Sequence, residues 1–162
     1  MTAQNLGDDI AARHAIASLH ASYAQCIDAG ELERWHEYFT SDGVYRVTSR
    51  ENHEAGLPLS LIYCRGHGMM KDRITAMRTA NIFEPHVYCH LDGALMIERA
   101  DGGWRATSNF TIMRTMGGGT MSVFACGRFC DEIVAESGAL KLRERIVVLD
   151  SRQIDTLLVI PL

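Results

Sequence analysis

The sequence predicts an α+β fold, with helices first and a long antiparallel meander second. Three observations carry this reading. Apolar residues recur at helical spacing only in the first half of the chain, the second half reads as extended segments, and turn sequences separate those segments. A length of 162 residues suits one domain with a real hydrophobic core, so a single domain over residues 1–162 is expected.

The first helix is expected from about Asp9 to Ile27, where Ile16, Leu19, Tyr23 and Cys26 or Ile27 form an apolar stripe. Asp28-Ala29-Gly30 stops it. A second short helix repeats the pattern with Leu32, Trp35 and Phe39, and Thr40-Ser41-Asp42-Gly43 reads as the polar turn that ends it. Val44-Tyr45-Arg46-Val47-Thr48 is β-prone and reads as the first strand. Residues 49–68 carry Gly56, Pro58, Gly66 and Gly68, which predicts a long surface connection with room for a short strand near Leu59–Tyr63. A third helix is expected from about Met69 to Asn81, burying Met70, Ile74 and Met77. Pro85 closes this region, because the residue before a proline is pushed out of helical geometry.

From His86 onward the pattern is extended. Asp101-Gly102-Gly103 and Glu136-Ser137-Gly138-Ala139 are hairpin-type turns, and Gly117-Gly118-Gly119 is a looser one. They divide the half into segments of about Val87–Ala100, Trp104–Met116, Thr120–Ala135 and Leu140–Asp150. Strands this long twist and curl, and three helices must cover the concave apolar face, so the expected shape is a cone. The convex face and the closing run Thr156–Leu162 then need partners of their own. That run either completes the core or meets another subunit.

Composition narrows the function classes. The chain is 47% hydrophobic and 22% charged, with a formal net charge of −4 and a pI near 5.9. No basic stripe is available to bind nucleic acid or an anionic lipid surface. The first residues are acidic and polar where a secretion signal is basic and then apolar, and no long apolar run follows, so a cytoplasmic location is expected. Five scattered cysteines, Cys26, Cys64, Cys89, Cys126 and Cys130, fit reduced and mostly buried thiols.

Tyr23-Ala24, the segment Asp28 to Trp35, Tyr38-Phe39-Thr40, Tyr45, Arg50-Glu51-Asn52 and Met70-Lys71-Asp72-Arg73-Ile74 together resemble the small subunits of aromatic-ring-hydroxylating dioxygenases. The stretch Asp72 to Glu84, His86, His90 and the closing Asp155 to Leu162 are especially similar to the small subunit of terephthalate dioxygenases, with salicylate hydroxylase small subunits next. The order and spacing of these segments carry the likeness, since each is weak alone. The resemblance implies a cystatin-like, nuclear-transport-factor-like cone and a hetero-oligomer, typically three large (alpha) and three small subunits, that the small one holds together. It also implies that the Rieske iron–sulfur cluster, the mononuclear iron and the substrate pocket belong to the large subunit. The sequence agrees with that division. A Rieske centre needs two Cys and two His at close spacing, and a mononuclear iron needs two His and a carboxylate. His86 and His90 sit in an expected strand, where about 3.3 Å per residue separates them too far for one metal. Cys126 and Cys130 meet the same objection. No metal or cofactor is expected in this chain.

A competing reading treats the cone as an enzyme. Scytalone-dehydratase-like and polyketide-cyclase-like proteins resemble this chain in placing an acid at the end of the first helix, where Asp28 falls. Asp28 would orient His90 as a general base, with Tyr45, Asn109 and Tyr23 as companions. Each residue also has a structural reading. Asp28 accepts loop amides or pairs with Arg, His90 is a half-buried histidine with its bonds made, and Tyr23 and Tyr45 suit the cone mouth as apolar rings with polar tips. Trp35 and Phe39 read as core. Asp72-Arg73 reads as a helix-start acid beside a salt-bridging Arg, or with Arg78 as a contact to a neighbouring subunit.

Overall fold

The computed structural model describes residues 3–80, 82–153 and 158–162; Asn81, Asp155, Thr156 and Leu157, on which some expectations fall, lie outside the described residues. In chain order the elements are α1 (Ala3–Asp28), a 3₁₀ helix (Leu32–Tyr38), β1 (Phe39–Ser49), α2 (Arg50–Glu54), β2 (Ile62–Arg65), α3 (Gly66–Thr79), β3 (His86–Ala100), β4 (Gly103–Met116), β5 (Met121–Glu136) and β6 (Ala139–Leu149).

Helix α1 forms because its many alanines restrict the backbone little and its stripe of Ile16, Tyr23 and Ile27 is buried against the sheet. It ends as its sequence requires. Gly30 adopts φ 73°, its N–H reaches the Ile27 carbonyl, and the Glu31 N–H reaches the Cys26 carbonyl, a paired C-terminal cap that only a left-handed residue permits. The second short helix forms where expected but winds as 3₁₀, with Leu32 and Trp35 buried. Helix α3 buries Met70, Ile74 and Met77 as predicted. The connection over residues 49–68 holds more structure than expected. It includes α2, whose Ser49 hydroxyl accepts the Asn52 N–H, and β2.

The six strands form one sheet in the order β2-β1-β6-β5-β4-β3. Here the expectation of an antiparallel sheet needs correction: β1 runs parallel to β6, with Val47 beside Val147, and the other neighbours are antiparallel. Strands so distant in sequence leave no turn signature to read. The expected polar turn Thr40–Gly43 is also corrected, since it lies within β1 at a register shift between Phe39 and Val44. A Cβ on Gly43 would come within 3.0 Å of the Phe39 side chain and the Thr40 carbonyl, so the bend needs a residue without one.

Further register shifts in β3, β4 and β5 add to the curl and produce the expected cone. Its concave face buries Tyr45 and Val47 of β1, Leu142 and Val147 of β6, Phe129 and Ile133 of β5, and Phe110 and Ile112 of β4 beneath the helices. The alternative left open for the closing run resolves for its described part. Val159 and Leu162 are buried and complete this core. Among the described residues no helix is long and apolar enough to cross a membrane.

Candidate functional site

The end of α1 lies against β3, and this juxtaposition builds the first cluster. Asp28 Oδ1 lies 2.6 Å from His90 Nδ1, and Asp28 Oδ2 accepts the His90 backbone N–H at 2.9 Å. One carboxylate thus holds both the ring and the main chain of a strand at the sheet edge. Such a contact also blunts the edge against pairing with another strand. With Nδ1 donating, a neutral His90 carries its lone pair on Nε2. That nitrogen is buried and has no hydrogen-bond partner among the described residues. Beside the pair lies a cleft of about 370 Å³ walled by Asp28, Met77, Phe83, His86, Tyr88 and Ile160. Its lining does not include His90, whose side chain is 1% exposed.

The other proposed companions lie elsewhere. Tyr45 and Tyr23 were expected at the cone mouth, and both are instead fully buried in its floor. The reason is the chain's own closing segment. Tyr23 donates to the Leu162 carbonyl at 2.8 Å and accepts from Trp35 Nε1 at 3.0 Å. The Leu162 N–H donates to the Tyr45 hydroxyl at 2.9 Å. Burial pushes the Tyr23 hydroxyl up to about 12, against the opposing charge of Arg145 and the bonds from Trp35 and Arg145, and it pushes Tyr45 well above the ordinary phenol value. Asn109 is exposed, at a β4 position that alternates with the inward Ser108 and Phe110. Asp28 and His90 therefore come together, and Tyr45 and Asn109 do not join them.

Arg73, read as a salt-bridging residue, bonds the main chain instead. Arg73 donates to the Leu158 and Val159 carbonyls at 2.6 and 3.2 Å. Arg78 binds the Glu33 carboxylate and the Gly30 carbonyl at the cleft margin. Trp35 and Phe39 are core, as read from their spacing.

Sequence reasoning missed a second cluster. Asp131 of β5 accepts two bonds from Arg145 of β6, at 2.9 and 2.7 Å, and lies 2.8 Å from His20 Nε2 of α1. The Arg145 guanidinium sits over the rings of Tyr23 and Phe129, 4.1 and 4.3 Å from their centroids. Burial alone would raise the Asp131 carboxyl. The charge of Arg145 and the hydrogen bonds from His20 and Arg145 outweigh it and hold that carboxyl below the usual range. A signal was present in the sequence. Asp131 shares the inward parity of Phe129 and Ile133, and Arg145 that of Val147, so each strand places one charge on its apolar face.

Among the described residues no three His, Cys, Asp or Glu side chains converge on one point. His86 and His90 share a face of β3 with Tyr88 between them, its ring centroid 5.1 Å from one imidazole and 6.4 Å from the other. All five cysteines are free; Cys26 and Cys64 are buried, and Cys89 is exposed.

The fold is a curled sheet closed by helices, and the family model for the SnoaL-like domain matches residues 8–146, which places the chain in the SnoaL-like class. Comparison with known proteins narrows the class. Subunit beta 1 of the terminal oxygenase component of terephthalate 1,2-dioxygenase from a Comamonas species is 40% identical over 148 residues, 91% of this chain and 96% of that one. The small subunit of anthranilate 1,2-dioxygenase from Burkholderia cepacia is 32% identical over 98% of this chain and 99% of its own length. A crystal structure described as the beta subunit of an aromatic-ring-hydroxylating dioxygenase, from Novosphingobium aromaticivorans, superposes with a TM-score of 0.85 at 31% identity, covering 96% of this chain and 99% of that one. The chain belongs to the family of aromatic-ring-hydroxylating dioxygenase small (beta) subunits.

Proposed function

We propose that this chain is the non-catalytic small subunit that assembles and stabilises an aromatic-ring-hydroxylating dioxygenase in the cytoplasm, with cis-dihydroxylation performed by its large partner. The observation that carries the reading is the end-to-end correspondence with a terephthalate dioxygenase beta subunit, 40% identical across 96% of that subunit. Terephthalate and anthranilate are both aromatic acids, which supports an aromatic acid as the substrate of the complex and makes terephthalate the first candidate. The Rieske cluster and mononuclear iron belong, in this reading, to the large subunit, and three small subunits join three large ones.

The packing supports a scaffold role. The concave side is filled by side chains and by the segment that ends at Leu162. The convex side carries Val87, Leu91, Met121 and Val123, each more than half exposed. The strand registers set Val87, Cys89 and Leu91 beside Thr115, Met113 and Thr111. This uncharged apolar surface is of the kind that a subunit contact covers.

Co-expression with a terephthalate-type large subunit tests the proposal. The expected result is one purified complex containing both chains and iron, while the small chain alone is colourless and inactive. Failure of the two chains to co-purify, or iron held by the small chain alone, refutes it.

One observation favours a second reading, a stand-alone dehydratase, isomerase or cyclase. The Asp28–His90 pair is formed, and His90 Nε2 is unpartnered. Against it stand the burial of His90 behind the cleft wall and the engagement of Tyr45 by Leu162.

A further inference from the structure

The floor of the cone is built like a ligand site, and the chain itself occupies it. Tyr23 and Tyr45 offer one donor and one acceptor to Leu162. The Leu162 side chain is fully buried among apolar neighbours. Arg73 adds an unbalanced charge. Its contacts are the carbonyls of Leu158 and Val159, its Nε is buried without an acceptor, and no carboxylate pairs with it among the described residues. Carbonyl oxygens satisfy a guanidinium less well than a carboxylate, which takes two parallel bonds and neutralises the charge. Ile160 forms part of the wall of the 370 Å³ cleft beside Asp28 and Tyr88, so withdrawal of residues 158–162 joins that cleft to the seat beneath it.

We propose that residues 158–162 are an internal ligand, and that the seat of Tyr23, Tyr45 and Arg73 binds a carboxylic acid with a branched apolar body when they withdraw. The chemistry follows from the partners. The carboxylate takes the place of the Leu162 oxygen and accepts from Tyr23, the charge of Arg73, released from the Leu158 and Val159 carbonyls, balances it, and the branched body replaces the Leu162 side chain. With the seat empty, Tyr23 loses its acceptor and keeps only the bond from Trp35, and Tyr45 and Arg73 lose their Leu162, Leu158 and Val159 partners, so the closed state is favoured until a ligand supplies the same groups. This inference is independent of the assembly reading, because binding is read on the small chain alone.

The test uses a variant with residues 158–162 deleted and two probes: the acetylated peptide Leu-Val-Ile-Pro-Leu and 4-methylpentanoate. Calorimetry and melting curves should show both binding, the peptide restoring the melting temperature of the intact chain. Arg73→Gln or Tyr45→Phe in the deletion background should weaken 4-methylpentanoate at least tenfold. A folded deletion variant that binds neither probe, or binds with no dependence on Arg73 and Tyr45, overturns the proposal. Should the deletion prevent folding, amide exchange in the intact chain decides. The Leu162 amide should exchange at least tenfold faster than those of Tyr45 and Val47, because withdrawal is a local opening. Exchange of Leu162 only with global unfolding makes the segment ordinary core and ends the proposal.

Discussion

Asp131→Asn tests the buried ion pair most directly. The carboxylate receives two bonds from Arg145 and lies 2.8 Å from His20 Nε2, and the Arg145 side chain is 1% exposed. An asparagine keeps the shape but turns an amide donor toward donors and removes the counter-charge. The guanidinium cannot shed its proton, so it stays charged and buried. Breaking a buried pair on one side costs about 3–5 kcal/mol. In a domain of this size each kcal/mol moves the melting temperature by about 2–4 °C, which gives a fall of roughly 6–20 °C. Arg145→Met should cost less, because the remaining carboxylate can neutralise itself by taking a proton and the thioether packs between Tyr23 and Phe129. Urea unfolding followed by circular dichroism measures both. An Asp131→Asn variant within about 1 kcal/mol of the parent, against the 3–5 expected, refutes the claim that burial couples the pair. pH supplies a second check. The folded carboxyl is held low, so its stabilisation is present above the unfolded value near 3.8 and disappears as pH falls through the lower folded value. The gap between parent and variant should narrow in that acid range.

Three further outcomes are expected. Tyrosinate absorbance should show that Tyr23 and Tyr45, two of five tyrosines, resist ionisation in the folded chain. Their raised values mean that stability is complete below the unfolded phenol value near 10 and is lost as pH rises toward the folded values, about 12 for Tyr23; normal titration of all five contradicts the burial argument. Asp28→Asn in the assembled dioxygenase should change turnover less than about threefold, far below the roughly 10²–10⁴ that a proton-transferring group supplies; a hundredfold loss refutes a small subunit without a part in catalysis. Gly127→Ala places a Cβ 2.0 Å from the Val148 carbonyl, forces β5 and β6 apart, and should cost about 1–3 kcal/mol in urea unfolding.

Much of the fold was legible because local rules govern it. The four long strands of the second half begin and end within a residue or two of their turn signals. The caps and stripes of α1 and α3 follow from glycine conformation and helical spacing. Asp28 was legible as a candidate because Asp-Ala-Gly marks the helix end, where the scytalone-dehydratase-like proteins that the chain resembles place an acid, and His90 was legible as its companion through the same resemblance. The errors arose where distant segments meet. Thr40–Gly43 has the composition of a turn, yet β6 pulls it into a bulged strand. Tyr45 looked like a mouth residue until Leu162 covered its hydroxyl.

The sequence thus set the local framework: helix stripes, caps, hairpins and the alternation that gives the sheet a buried side. Tertiary structure alone decided which distant groups would meet: β1 with β6, Asp131 with His20 and Arg145, and the segment ending at Leu162 with Tyr23 and Tyr45. The physical reason is range. Backbone preference and side-chain periodicity act over a few residues, whereas each of these contacts joins segments that only the closed cone brings together, where burial makes partners for polar groups obligatory.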